Sequence, residues 1–236
     1  LRVDDRGVGE TTGDYSSSTT ADFANDALAA VEYLKTRPEI NKTRIGLLGH
    51  SEGAAAAIIA ASECANVAFI VSACGLLTDG LSALLKQNKD IVATSPIPDY
   101  NKRRYDEIND LMFHVAYKYA EADSATLSKA LWDTYNEWKP KDDAYFKSLN
   151  VGEFDHFRFP IYSYAINATS AWYRFFIRYN PENYISNVNI PILAIGGDKD
   201  IMANWGLNRD NLMRITRNRP NGNQGNKRDE SSDAAM

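Results

Sequence analysis

The stretch Arg44-Ile45-Gly46-Leu47-Leu48-Gly49-His50-Ser51-Glu52-Gly53, continued by the alanine-rich run from Ala54 to Ala61, decides the fold. The apolar run from Ile45 to Leu48 is too short for a helix and reads as a buried strand, while the alanine run reads as a helix with little side-chain bulk. Strand, sharp turn and helix are the context that gives G-x-S-x-G a chemical meaning. The turn holds its serine in a strained conformation clear of the sheet, so Gly49 and Gly53 are expected where a Cβ would collide with a neighbouring strand or helix. Ser51 is therefore the candidate nucleophile. His50 is adjacent, but neighbours at a strand end point to opposite faces, so it is predicted to face away from the Ser51 hydroxyl and to pack.

The rest of the composition bounds the class. With 236 residues and 44% hydrophobic residues, the chain can bury a substantial core as one large domain or a domain with an insertion. A net charge of -5 leaves no broad basic surface, which argues against nucleic acid or an anionic membrane as partner and leaves a small molecule as the expected ligand. Two cysteines, Cys64 and Cys74, are too few for a disulfide framework or a metal site and read as core thiols, so the compartment stays open. No run is long and apolar enough to span a membrane.

From the start, Leu1-Arg2-Val3-Asp4-Asp5-Arg6-Gly7-Val8-Gly9 reads as a strand end running into a glycine-bearing loop. Thr19 followed by Asp22 resembles a helix N-cap, and Phe23, Ala27, Ala30, Val31 and Leu34 recur at helical spacing until Pro38. Strand, loop, helix and strand in that order predict a right-handed parallel crossover. Two further apolar runs, Val67 to Ala73 and Ile190 to Gly197, read as strands of the same parallel sheet, covered on both faces.

Between them lies a segment of different character. Of the 26 aromatic residues, 21 fall between Tyr100 and Tyr184, and the apolar positions there recur at helical spacing. Leu111, Val115 and Tyr119 share one helix face, Leu127, Leu131 and Tyr135 another, and Trp172, Phe175, Phe176 and Tyr179 a third. The reading is a helical insertion over residues 80–189, either a lid whose aromatic face lines a pocket over Ser51 or a module with its own core. The core would then comprise residues 1–79 and 190–215, with a polar tail over 216–236.

After the last strand comes Gly196-Gly197-Asp198-Lys199-Asp200. The carboxyl ends of strands in an open parallel sheet form the active crevice, so an acid here can reach the surroundings of Ser51. Asp198 and Asp200 compete for the role, with Asp200, at the far end of the loop, better placed to orient an imidazole. Together with Asp4-Asp5-Arg6-Gly7-Val8-Gly9, Gly49-His50-Ser51-Glu52-Gly53 and the stretch from Trp172-Tyr173-Arg174 to Pro181, this loop resembles the α/β-hydrolase superfamily. The likeness is to the bacterial esterase and serine-aminopeptidase-like members with a helical cap, and it covers Leu1 to Asp200. It implies a partial α/β-hydrolase sheet with helices on both faces, Ser51 as nucleophile, Asp200 as triad acid and the Glu52 backbone N–H as an oxyanion donor. It implies no metal or organic cofactor.

Two departures qualify what the resemblance implies. The glycine-rich loop that supplies the second oxyanion donor would precede Leu1, and the triad histidine would follow Asp200. The histidines here are His50, His114 and His156, all earlier, so the chain reads as a piece of a longer protein. The expected activity is hydrolysis of a carboxylic ester, small amide or peptide through an acyl group on Ser51, weak without the histidine. The rival is a binding protein that keeps the fold and has no base.

Overall fold

The computed structural model describes residues 1–151 and 157–217. Helix α1 spans Thr20–Thr36, strand β1 Gly46–His50, helix α2 Glu52–Glu63 and strand β2 Phe69–Ala73. Six helices follow: α3 (Gly80–Thr94), α4 (Asp99–Lys118), α5 (Ser124–Ser148), α6 (Ile161–Ala168), α7 (Ala171–Arg178) and α8 (Glu182–Ile185). Strand β3 (Ile192–Ile195) and helix α9 (Trp205–Thr216) complete the described elements. The sheet is parallel throughout in the order β1-β2-β3, with Leu47 opposite Ile70 and Ile70 opposite Ile192.

Helix α1 starts where the sequence places it. The Thr19 hydroxyl accepts from the Asp22 N–H while the Asp22 carboxylate accepts from the Thr19 N–H, a reciprocal box that satisfies two groups otherwise left open at a helix start. The Arg6 guanidinium reaches Asp26 at 2.7 and 2.8 Å and also bonds Asp22, fastening the glycine-bearing loop to α1. Residues 1–3 are not a strand. A strand needs a ladder partner, and the outer edge of β1 has none among the described residues, so the parallel crossover expected ahead of β1 lacks its first strand.

Among the described residues the sheet is covered on one face only. Leu47 and Ile70 pack against Ala57, Ile58, Ile185 and Val188, with Leu212 and Ile215 of α9 on the same cluster. On the opposite face Leu48 is 74% exposed, Phe69 42%, Leu193 57% and Ile195 53%. Helices on both faces were the expectation from the continuous apolar runs, but in a strand every second side chain belongs to the other face, and no described helix covers it.

All described elements between β2 and β3 are helices. Their core includes Ile108, Met112, Leu127, Leu131, Trp138 and Ile177. On α4 the buried line runs Arg104, Ile108, Met112 and Ala116, while Leu111, Val115 and Tyr119 flank it, half-buried, so the sequence stripe is turned by one position. The reason is Arg104. Its guanidinium forms a two-pronged pair with Asp142 of α5 at 2.6 and 2.8 Å, both side chains almost fully buried, and stacks on the rings of Phe146 and Phe157. A charge can sit there because its partner and flanking rings replace water.

Candidate active site

Ser51 links β1 to α2 at φ 53 and ψ -119, a conformation that L residues rarely adopt. Both sides of the peptide are fastened to the end of β2: the Ser51 N–H donates to the Ala73 carbonyl and the Leu76 N–H to the Ser51 carbonyl, each at 3.1 Å. A Cβ on Gly49 would lie 2.1 Å from the Gly53 carbonyl oxygen and 2.5 Å from the Ala54 nitrogen, so helix α2 can start this close only over a glycine. Gly53 differs from expectation, because a Cβ there would meet nothing within 4 Å. The first glycine is sterically required and the second is not.

The Ser51 side chain is exposed and does not cap α2. The Glu52 N–H is the first of the helix, a position with no intrahelical acceptor, and the partial positive charge of the helix start adds to it. Here the residue type matters in a way the sequence reading missed. The Glu52 carboxylate accepts from the Thr20 hydroxyl of α1 at 2.6 Å and from the Trp172 indole N–H of α7 at 2.7 Å, tying the elbow to two other helices. Only contact across the fold reveals it; the three residues are scattered in sequence.

Asp200 lies after β3, and its Oδ1 accepts the N–H groups of Met202 at 2.8 Å and Ala203 at 2.9 Å. Burial opposes its ionisation, but these two N–H groups, the Cys74 thiol and the charge of His50 outweigh burial and hold the carboxyl below its ordinary range. Met202 and Ala203 line the same small cavity as Ser51, Glu52 and Phe176, about 60 Å³ in volume. A framework of amides connects the two loops. Asn208 of α9 accepts the Leu77 N–H at 2.6 Å and donates to the Asn204 carbonyl at 2.9 Å, and Asn211 donates to the Leu77 carbonyl at 2.7 Å. Asp198, the competing acid, is exposed.

Of the histidines, His50 departs from expectation. His50 is exposed rather than packed. His114 is exposed on α4 and hydrogen-bonds the Asp110 carbonyl at 2.8 Å, and His156 lies outside the described residues. Neither His50 nor His114 hydrogen-bonds Ser51. Cys64 and Cys74 form no disulfide and are half-buried; Cys64 packs against the Val31, Ile45 and Val67 cluster as a core thiol would, while Cys74 holds φ 46 directly after β2.

Residues 28–131 match the family described as BAAT / Acyl-CoA thioester hydrolase C terminal, a family of the α/β-hydrolase superfamily. The matched span runs from α1 into α5, so it includes Ser51 and Glu52 and stops short of Asp200. The parallel β1-β2-β3 sheet is that of a partial α/β-hydrolase fold, and the match points to a hydrolase. Among the described residues no helix is long and apolar enough to cross a membrane.

Proposed function

We propose that Ser51 is the nucleophile of an acyl-transfer hydrolase whose preferred substrates are acyl thioesters. The observation that supports this best is the φ and ψ of Ser51 on a strand-turn-helix path, with its hydroxyl exposed and uncommitted. Strain of this kind persists only where the surroundings over-determine it, and it is a device for presenting a reactive group. In the proposed reaction the Ser51 oxygen attacks the carbonyl carbon and its proton passes to a base. The Glu52 N–H holds the oxyanion, and the thiolate leaves and is protonated. Water then releases the carboxylic acid and restores Ser51.

Thioesters are favoured over esters and amides for two reasons. The matched family is described by thioester hydrolysis. A thiol with a pKa near about 8.5 also leaves more readily than an alkoxide or amine, so the step demands less of a general acid. Asp200 is assigned as the acid that orients the base. Carboxylic esters, and small amides or peptides after them, are the slower substrates of the same site.

The test is release of free thiol from acetyl thioester by the 236-residue chain, with imidazole added as a mobile base. Loss of a triad histidine costs on the order of a millionfold in turnover, so release should be near background without imidazole and should rise with its concentration faster than the release that imidazole alone gives in a protein-free control. Ser51→Ala should remove that excess. An excess that survives the substitution contradicts the assignment. A second reading, a binding protein that keeps the fold, draws on the lack of a hydrogen bond to Ser51 from His50 or His114, and it predicts release no faster than imidazole alone gives.

A further inference from the structure

The cavity at Ser51, about 60 Å³, has room for only a few waters, which is the size of an acetyl group and not of a longer acyl chain. A second cavity of about 490 Å³ lies among α3, α4, α6 and α7, within the size range of small-molecule sites. Leu84 of α3 lines both, so one side chain forms a shared wall.

The chemistry of the larger cavity is distinctive. Its lining contains no charged side chain, and its apolar part is built by residues such as Ile91, Val92, Ile97, Phe113 and Phe159. Most of its polar groups are already committed. Asn88 donates to the Leu84 carbonyl at 3.0 Å, Ser95 donates to the Ile91 carbonyl at 2.6 Å, and the Tyr164 and Tyr173 hydroxyls bond each other at 2.9 Å. Burial pushes the Tyr173 phenol up to about 12, so that pair stays neutral. A polar or charged ligand entering here would lose water and gain few partners, whereas a hydrocarbon chain gains from burial at every methylene.

We propose that this cavity is the binding site for the hydrocarbon chain of an acyl substrate, and that Leu84 is the residue that sets chain-length preference by separating the chain site from Ser51. The chain enters between α3 and α6 with its carbonyl toward the elbow, and rotation of the Leu84 side chain joins the two spaces. This rests on the reading of Ser51 as acyl acceptor only for the role of Leu84. Occupancy by a hydrocarbon does not depend on it.

The experiment has two arms. In the first, a decanoyl photoprobe with a terminal diazirine is cross-linked to the intact chain and to Ser51→Ala, and the labelled positions are mapped by mass spectrometry with unlabelled decanoate as competitor. Labels are expected among residues 84–113 and 159–173 in both proteins, and they should be lost on Ile91→Trp or Ile97→Trp, with circular dichroism confirming the fold of each. Labels on Leu48, Leu193 or Ile195 of the open sheet face, or labels indifferent to both tryptophans, overturn the site. The second arm measures Ser51 acylation by decanoyl and acetyl thioesters in imidazole, and Leu84→Ala should raise the decanoyl to acetyl ratio about tenfold. An unchanged ratio overturns the role of Leu84. No acetylation of Ser51 in the unsubstituted chain contradicts the nucleophile assignment and leaves the first arm to decide the cavity.

Discussion

Gly49→Ala is the substitution whose effect follows most directly from the geometry. The added methyl would sit 2.1 Å from the Gly53 carbonyl oxygen, 2.2 Å from its carbonyl carbon and 2.5 Å from the Ala54 nitrogen, all backbone atoms of the first turn of α2. No side chain can swing away, so β1 and α2 must separate. Overpacking of this kind costs about 1–3 kcal/mol, and contacts with backbone place it at the upper end. For a chain of this size each kcal/mol moves the melting temperature by about 2–4 °C, so the expected fall is about 6–12 °C. Gly53→Ala is the control four positions on in the same motif. Nothing lies within 4 Å of its Cβ, and exchanging a helical glycine for alanine stabilises by about 0.5–1 kcal/mol, a rise of about 1–4 °C. Thermal unfolding followed by circular dichroism at 222 nm gives both numbers. A Gly49→Ala protein as stable as its parent, or a Gly53→Ala protein as damaged as Gly49→Ala, would refute the account of the turn.

Three further outcomes follow from other parts of the structure. Arg104→Met alone should destabilise by about 3–5 kcal/mol in denaturant titration, because Asp142 is left buried and uncompensated, whereas Arg104→Met with Asp142→Leu should recover most of that loss; equal damage from both would show that the pair contributes through something other than charge. The depressed Asp200 carboxyl adds stability above the unfolded value of about 3.9, and that contribution disappears as pH falls through the lower folded value. The melting-temperature gap between the chain and Asp200→Asn should therefore close toward acid, and a gap that widens there contradicts the hydrogen bonding assigned to the loop. The open sheet face should drive self-association; Leu48→Ser with Leu193→Thr should lower it in sedimentation velocity, and association unaffected by the pair would place the sticky surface elsewhere.

The Thr19–Asp22 box, the strand-turn-helix around Ser51 and the later parallel strands were legible in the sequence because each is a local pattern with a local cause. The face of α4 was misjudged by one position because hydropathy counts Arg104 as a surface residue, and only its pairing with Asp142 across 38 positions makes burial tolerable. The strand at Leu1 failed for a related reason, since strands exist by partnership and no periodicity reports whether the partner is present. At the site, Gly53 looked as necessary as Gly49 because the motif treats them alike, while space around the backbone does not. Glu52 was read for its N–H alone, and its carboxylate bonds to Thr20 and Trp172 join residues 32 and 120 positions away.

The central claim is that the strained turn makes Ser51, and no other hydroxyl, the group that attacks an electrophile. The most direct measurement is to treat the chain with a small fluorophosphonate in imidazole buffer, digest it and locate the phosphonylated residue by mass spectrometry. The account predicts a single adduct on Ser51, accelerated by imidazole, absent from Ser51→Ala and slowed in Asp200→Asn. An adduct on another serine, threonine or tyrosine, or one on Ser51 no faster than on the unfolded chain in urea, would contradict it.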